Sequence, residues 1–154
     1  NLDPTRRRGV ETAASQRVGE RLRLDGALTY TEAKFSAGAF SGNDVPLVSR
    51  WTGRAGLSWD IVDRRAVLDA SVRRTGDRRF DNDQANFQPQ IPGHTAVDLR
   101  IAGVEAPLRW SLSVHNLLDA KYFDYGVASA TTFGRYNAYP LPGRTAIARI
   151  GIDF

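Results

Sequence analysis

Seven stretches of this chain place apolar side chains at every second position. That period of two admits strands and excludes helices. The clearest is the last, residues 143–154, reading GRTAIARIGIDF. Ala146, Ala148, Ile150, Ile152 and Phe154 share one parity, against Thr145, Arg149, Gly151 and Asp153, with Ile147 the only large apolar exception. The strands are expected near 6–15, 21–35, 50–61, 66–76, 94–104, 108–117 and 144–154. In the third, Trp51, Gly53, Ala55, Leu57, Trp59 and Ile61 oppose Thr52, Arg54, Ser58 and Asp60. The fourth sets Leu68, Ala70 and Val72 against Asp69, Ser71 and Arg73, and the sixth sets Leu108, Trp110, Leu112 and Val114 against Arg109, Ser111, Ser113 and His115. The first is the weakest, with only Val10 and Ala14 clearly apolar.

At 154 residues the chain is long enough for one domain with a core. No apolar run reaches the length of a transmembrane helix. The absence of cysteine rules out disulfides and thiolate metal sites. A net charge of +4 raises the question of nucleic acid, but arginines alternate with aspartates along the strands and form no block, so no nucleic-acid partner is expected. The first residue is Asn and no secretory signal follows, which reads as a chain whose beginning is missing. Ser113 and His115 share a strand face without a third catalytic group, and no phosphate-binding glycine loop occurs, so no enzyme is expected.

The connections alternate in length. Those at 18–20, 62–65 and 105–107 are short, and those at 36–49, 77–93 and 118–143 are long. Long loops on one rim and tight turns on the other are the plan of bacterial membrane barrels. Aromatic residues fit the same plan. Trp51 and Trp59, eight residues apart on one face, are separated by about 20 Å along a membrane normal. Trp59, Trp110 and Phe154 fall near the short-turn rim, and Tyr30 and Trp51 near the long-loop rim, as two girdles. The expected fold is therefore all-β: an antiparallel up-and-down transmembrane β-barrel. Seven strands are too few and odd in number, which makes this the carboxy-terminal part of a larger barrel. A soluble β-sandwich burying the leucine-and-tryptophan parity, or a passive pore, are the alternatives left open.

Four stretches resemble one known family. They are TRRRGVE at 5–11, LTYTEAKF at 28–35 with GNDVPLV at 42–48, VHNLLDAKY at 114–122, and Pro142–Gly143–Arg144 with terminal Phe154. In this order they are similar to the carboxy-terminal third of the barrel of TonB-dependent outer-membrane receptors. The usual Phe after Asn-Leu is replaced here by leucine. The resemblance implies a 22-stranded barrel with a plug domain outside this chain. It implies uptake of a scarce bulky ligand, foremost a ferric siderophore, otherwise haem, cobalamin or a sugar. The partners it implies are outer-membrane lipid, the protein's own plug, TonB through residues outside this chain, and the barrel assembly machinery through the terminal strand. The location would be the Gram-negative outer membrane with the carboxy terminus periplasmic. No cofactor is implied.

Within that frame the polar parity should line the lumen. Arg54, Arg73, Arg100, Arg109 and Arg149 could pair with Asp25, Asp60, Asp69, Asp98 and Asp153 and hold the plug, or merely solvate a wet interior. Phe80, Phe87, Tyr122, Tyr125, Phe133 and Tyr136 in the long loops suit ligand contact by stacking and cation–π interaction, and suit loop-on-loop packing equally. Asn116 and Asp119 suit an Asx-type turn, and Pro142–Gly143 the start of the last strand. The run DRRFDND at 77–83 gathers carboxylates but lacks a calcium-loop pattern, and His94 and His115 are too few for a metal site, so no metal is expected.

Overall fold

The computed structural model describes residues 3–62 and 65–153. Among the described residues nine strands form: β1 (Thr5–Val18), β2 (Leu22–Phe35), β3 (Trp51–Val62), β4 (Ala66–Thr75), β5 (His94–Glu105), β6 (Leu108–His115), β7 (Phe123–Ala128), β8 (Tyr136–Pro140) and β9 (Thr145–Ile152). Seven of them make one sheet in the order β1-β2-β3-β4-β5-β6-β9. Every pairing is antiparallel, so neighbours in sequence are neighbours in space apart from the step from β6 to β9. These are the seven strands that the alternation predicts. β1 and β9 lie at opposite edges, so the described residues form an open wall.

The register keeps parity from strand to strand. Val10 pairs with Tyr30 and Tyr30 with Trp51. Farther down, one row runs Leu22–Trp59–Leu68–Ile101–Leu112–Ala148. A slip of one residue would scatter the apolar set over both faces, so the pairing gathers it on one. That face is uncovered: Trp51 is 52% exposed and Trp59 46%, with Leu24, Leu28, Val72, Leu112 and Ile150 also exposed. Among the described residues the only other sheet is the β7–β8 hairpin, which lies within the last long connection. A sandwich would need a second sheet on the leucine-and-tryptophan face. That alternative is overturned.

Two expectations need correction. The alternation predicted for the third strand puts Ile61 on the Trp59 face. A bulge between Asp60 and Val62 intervenes, and Val62 pairs with Ala66 and is exposed there instead. The connection 118–143, read as a single loop, contains β7 and β8. Their six and five residues, with a register shift between Phe123 and Tyr125, are too short to show a period.

The rims are distinct. Gly19, at φ 64°, makes the tight turn between β1 and β2. Gly103 lies under the Trp110 indole, where a Cβ would come within 2.6 Å of the ring. Trp59 and Trp110 stand at this short-turn end, and Tyr30 and Trp51 at the other, their ring centroids 4.8 Å apart. Phe154 lies outside the described residues. The long loops fold over the polar face at the long-loop rim: Ala33 and Phe35, both of polar parity, are buried, with the Val45 N–H bonded to the Ala33 carbonyl and the Phe40 ring against Phe35.

Candidate ligand site at the long-loop rim

The segment between β4 and β5 organises the loops, and it does so with amide side chains that imitate backbone. Asn86 Nδ2 donates to the Asp44 carbonyl (2.9 Å), and the Asp44 N–H donates to Asn86 Oδ1 (2.8 Å). Asn82 repeats the device toward β7, donating to the Ala128 carbonyl (2.6 Å) and accepting from its N–H (2.8 Å). Gln88 donates to the carbonyls of Ser129 (2.6 Å) and Thr132 (2.9 Å) and accepts from the Gly134 N–H (2.8 Å). Loops have few ladder bonds of their own, so these side chains satisfy backbone groups that the covered rim withdraws from water.

A small apolar core sits beneath. Phe80 is 1% exposed and Ile91 0%, packed with Ala128, Leu47 and Phe123. The Phe80 ring lies 4.8 Å from Tyr136 and 6.2 Å from Phe123. Phe80, expected among the ligand contacts, therefore turns its ring into the loop core. Phe87 and Phe133 are exposed and meet edge to face at 5.6 Å, which joins two loops at the surface. Tyr125 and Tyr136 are partly open to solvent, and Tyr122 stacks on His94 at 4.0 Å.

The carboxylates of the DRRFDND run are engaged locally. Asp77 accepts from the Gly93 N–H (2.5 Å), Asp81 from the Tyr125 hydroxyl (2.6 Å), and Asp83 from the Phe87 N–H (2.7 Å). The bond to Asp81 holds the Tyr125 phenol protonated to higher pH than usual. Among the described residues no three metal-ligating side chains converge.

The same run carries two arginines, Arg78 and Arg79, whose role the carboxylate spacing of the sequence does not reveal. Arg78 is 5% exposed. Its Nη2 donates to Asp124 Oδ1 (2.7 Å) and to the Phe123 carbonyl (3.3 Å), while Nη1 has no partner. Arg79 donates to the Gln88 carbonyl (2.7 Å) and keeps Nε unpaired. Both line a cleft of about 550 Å³ with Thr31, Ala33, Arg50 and Asp77. Arg50, Arg74, Arg78 and Arg79 outnumber Asp44 and Asp77 in its lining, so the cleft is positive and suits an anion.

Below the loops the polar face carries the arginines read from the sequence. Arg100 meets Asp69 at 3.1 Å, Arg73 meets Asp98 at 3.7 Å, and Arg109 meets Asp153 at 2.5 Å. Arg54 instead opposes Arg73 in register, and Arg149 opposes Ser111. Neither has a carboxylate partner among the described residues. At half exposure these ion pairs each add little to stability. They set a charge pattern on the face.

At the end of β6 the turn is built as its residues suggest. Asn116, at φ 50°, accepts from the Ala120 N–H (3.0 Å) and donates to the Ala120 carbonyl (3.0 Å) and to that of Pro142 (3.3 Å). The two stretches VHNLLDAKY and PGR are thus bonded to each other.

An antiparallel up-and-down wall, apolar on its outward parity, polar on the other, with long loops over the polar face at one rim, is a segment of a membrane β-barrel. The sequence matches the family described as TonB dependent receptor-like, beta-barrel, over residues 1–117, and the chain belongs to that family. Its fold is also that of solved receptors. The ferric yersiniabactin uptake receptor FyuA from Yersinia pestis superposes with a TM-score of 0.82 at 22% identity, covering 97% of this chain and 24% of FyuA. The siderophore receptor PiuA from Acinetobacter baumannii gives 0.78 at 16% identity, covering 95% of this chain and 21% of PiuA. The copper transporter OprC gives 0.73 at 21% identity, covering 97% of this chain and 24% of OprC. This chain therefore spans about a quarter of the length of such proteins. A comparison with curated proteins finds no match.

Proposed function

We propose that this chain is a carboxy-terminal part of the barrel of an outer-membrane receptor that takes up a scarce bulky ligand, foremost a ferric siderophore, with energy supplied through TonB. Residues 1–154 form wall and loops in this reading, and the plug lies outside them. The single observation that carries it is the division of the sheet: one face apolar and bare, the other polar and roofed by loops with an arginine-lined cleft beneath. Hydrocarbon satisfies the first face and a wet lumen the second.

In this reading the short-turn rim and the carboxy terminus are periplasmic, and β9 is the strand offered to the barrel assembly machinery. Arg54 and Arg149, which lack a carboxylate on this wall, are the cations that the plug would pair. The cleft arginines and the exposed Phe87, Phe133, Tyr125 and Tyr136 would meet the ligand, since ferric siderophores present anionic oxygens and often flat rings. Copper is the second cargo to consider, because OprC is a copper transporter with the same fold.

The test is equilibrium binding to the intact protein in detergent, followed by tryptophan fluorescence. Ferric catecholate, ferric hydroxamate and ferric citrate are titrated beside Cu²⁺. Saturable binding of one ferric chelate, weaker without iron, supports the reading. Binding of Cu²⁺ alone moves it to copper. Passage of small solutes across vesicles with no saturable ligand and no dependence on TonB marks a passive pore.

A further inference from the structure

We propose that His94 is a proton-sensitive latch for the β7–β8 hairpin: the neutral imidazole holds the hairpin against the start of β5, and its protonation loosens it. The inference goes beyond the receptor reading and rests on the folded loops alone.

Three segments distant in sequence meet at this ring. His94 opens β5 and pairs with Thr75 of β4. The Tyr122 ring, just before β7, stacks on the imidazole with centroids 4.0 Å apart and planes 13° from parallel. His94 Nε2 stands 3.5 Å from Asp124 Oδ1 in β7. The same oxygen accepts from Arg78 Nη2 at 2.7 Å, and Nη2 also donates to the Phe123 carbonyl. The hairpin is thus fastened at its first residues by a ring stack and by an arginine that already engages the shared carboxylate.

A proton added to the ring meets an unfavourable site. The His94 side chain is 10% exposed and that of Arg78 5%, so water reaches the cluster poorly. The charges facing the ring are Asp124 of β7, Arg78 of the preceding loop, and Arg73 and Arg74 of β4. Asp77 adds a carboxylate where it accepts from the Gly93 N–H. Three guanidinium groups therefore oppose two carboxylates before the imidazole carries any charge. Asp124 lies beyond good hydrogen-bonding reach of Nε2 and already serves Arg78. An imidazolium would be a second cation on one carboxylate oxygen, in a place where burial alone makes charge costly.

The sign follows from the neutral ring being the form that the site holds. The latch contributes in full above the ordinary histidine value of ~6.5 and is lost progressively as the pH falls below it. The sequence holds two histidines and no cysteine, and the other histidine, His115, is half exposed on β6 beside Asp98. Arg78 also lines the anion-suited cleft, so Asp124 couples the wall of that cleft to the same proton.

The experiment follows amide exchange in the intact protein in detergent from about pH 7.5 to about 5.5, the range in which histidine titrates. Exchange is expressed as protection relative to the intrinsic rate at each pH. Two amides report the hairpin: the Asp81 N–H, bonded to the Gly126 carbonyl, and the Ala128 N–H, bonded to Asn82 Oδ1. Their protection is expected to fall about tenfold, the factor that one proton supplies per pH unit below the ordinary value, while amides of β2 to β4 keep theirs. His94→Phe retains a flat ring for the stack and gains no proton, so its protection should not respond to pH. His94→Gln makes the same point without the bulk of phenylalanine, and His115→Gln should respond as wild type does. Flat protection in wild type, or a rise in acid, overturns the proposal. So does an acid response that survives in both His94 variants, or a loss shared equally by the wall strands.

Discussion

Asp119 Oδ1 accepts a hydrogen bond from the Arg144 N–H at 2.9 Å, and this contact fastens the chain leaving β6 to the chain entering β9 across 24 intervening residues. Lys121 Nζ lies 3.0 Å from both carboxylate oxygens. Gly143 passes so close that a Cβ there would be 2.7 Å from Asp119 Oδ1. The Arg144 N–H first, and Lys121 second, hold the Asp119 carboxyl below its ordinary range.

The pH dependence of this clamp follows in sign. A carboxyl with a lowered folded-state value stabilises the fold above its unfolded value, ~3.9 for aspartate. That contribution is lost as pH falls through the lowered value. Protection of the Arg144 amide, its exchange relative to the intrinsic rate at each pH, should therefore fall as the pH is taken below the ordinary carboxylate range, and Asp119→Asn should show reduced protection at neutral pH with little further response to acid.

Removing the Asn86 side chain should detach one loop from another. Asn86→Ala leaves the Asp44 N–H and carbonyl without their partners, a local cost of about 1–3 kcal/mol. The expected outcome is faster exchange of the Asp44 amide and earlier cleavage by protease between β2 and β3. The melting of the sheet should be unchanged, because the hydrogen bonds of Asn86 go to the loop residues Asp44, Arg79, Asp83 and Gln84.

Phe80→Ala should dissolve the loop core. Truncating a buried phenylalanine costs about 3–5 kcal/mol, and here it also releases the Tyr136 and Phe123 rings. Limited proteolysis in 118–143 should rise sharply while the far-ultraviolet signal of the sheet persists. An unchanged cleavage rate would show that the hydrogen bonds of Asn82 and Gln88 suffice alone.

Neighbouring residues of β4 separate the two faces. Val72 stands on the exposed apolar side between Ala55 and Val97, and Ser71 on the polar side between Gly56 and Asp98. In a membrane, Val72→Arg near mid-strand should cost about 2–4 kcal/mol in reversible unfolding from lipid, whereas Ser71→Arg, beside Asp98, should cost far less. Equal costs would contradict the assignment of the faces.

Much of this protein was determined by local chemistry and is legible in its residues. The two-residue period of segments such as 66–76 and 108–117 gave the strands, because each side of a pleated backbone meets a different medium. The lengths of the turns gave their order, since adjacent antiparallel strands need only a few residues to connect. Asn116 and Asp119 announced their turn because short polar side chains bond nearby backbone. What only the tertiary structure decided depends on segments distant in sequence. The bulge at Asp60–Val62 belongs to the pairing with β4, and β7 and β8 pack on Phe80 through Ala128, Phe123 and Tyr136. Phe80 and Phe87 look alike in the sequence, yet one is buried and the other exposed, for that is settled by which loop lies across each ring. Arg78 likewise became a buried cation only when Asp124, 46 residues away, came within 2.7 Å.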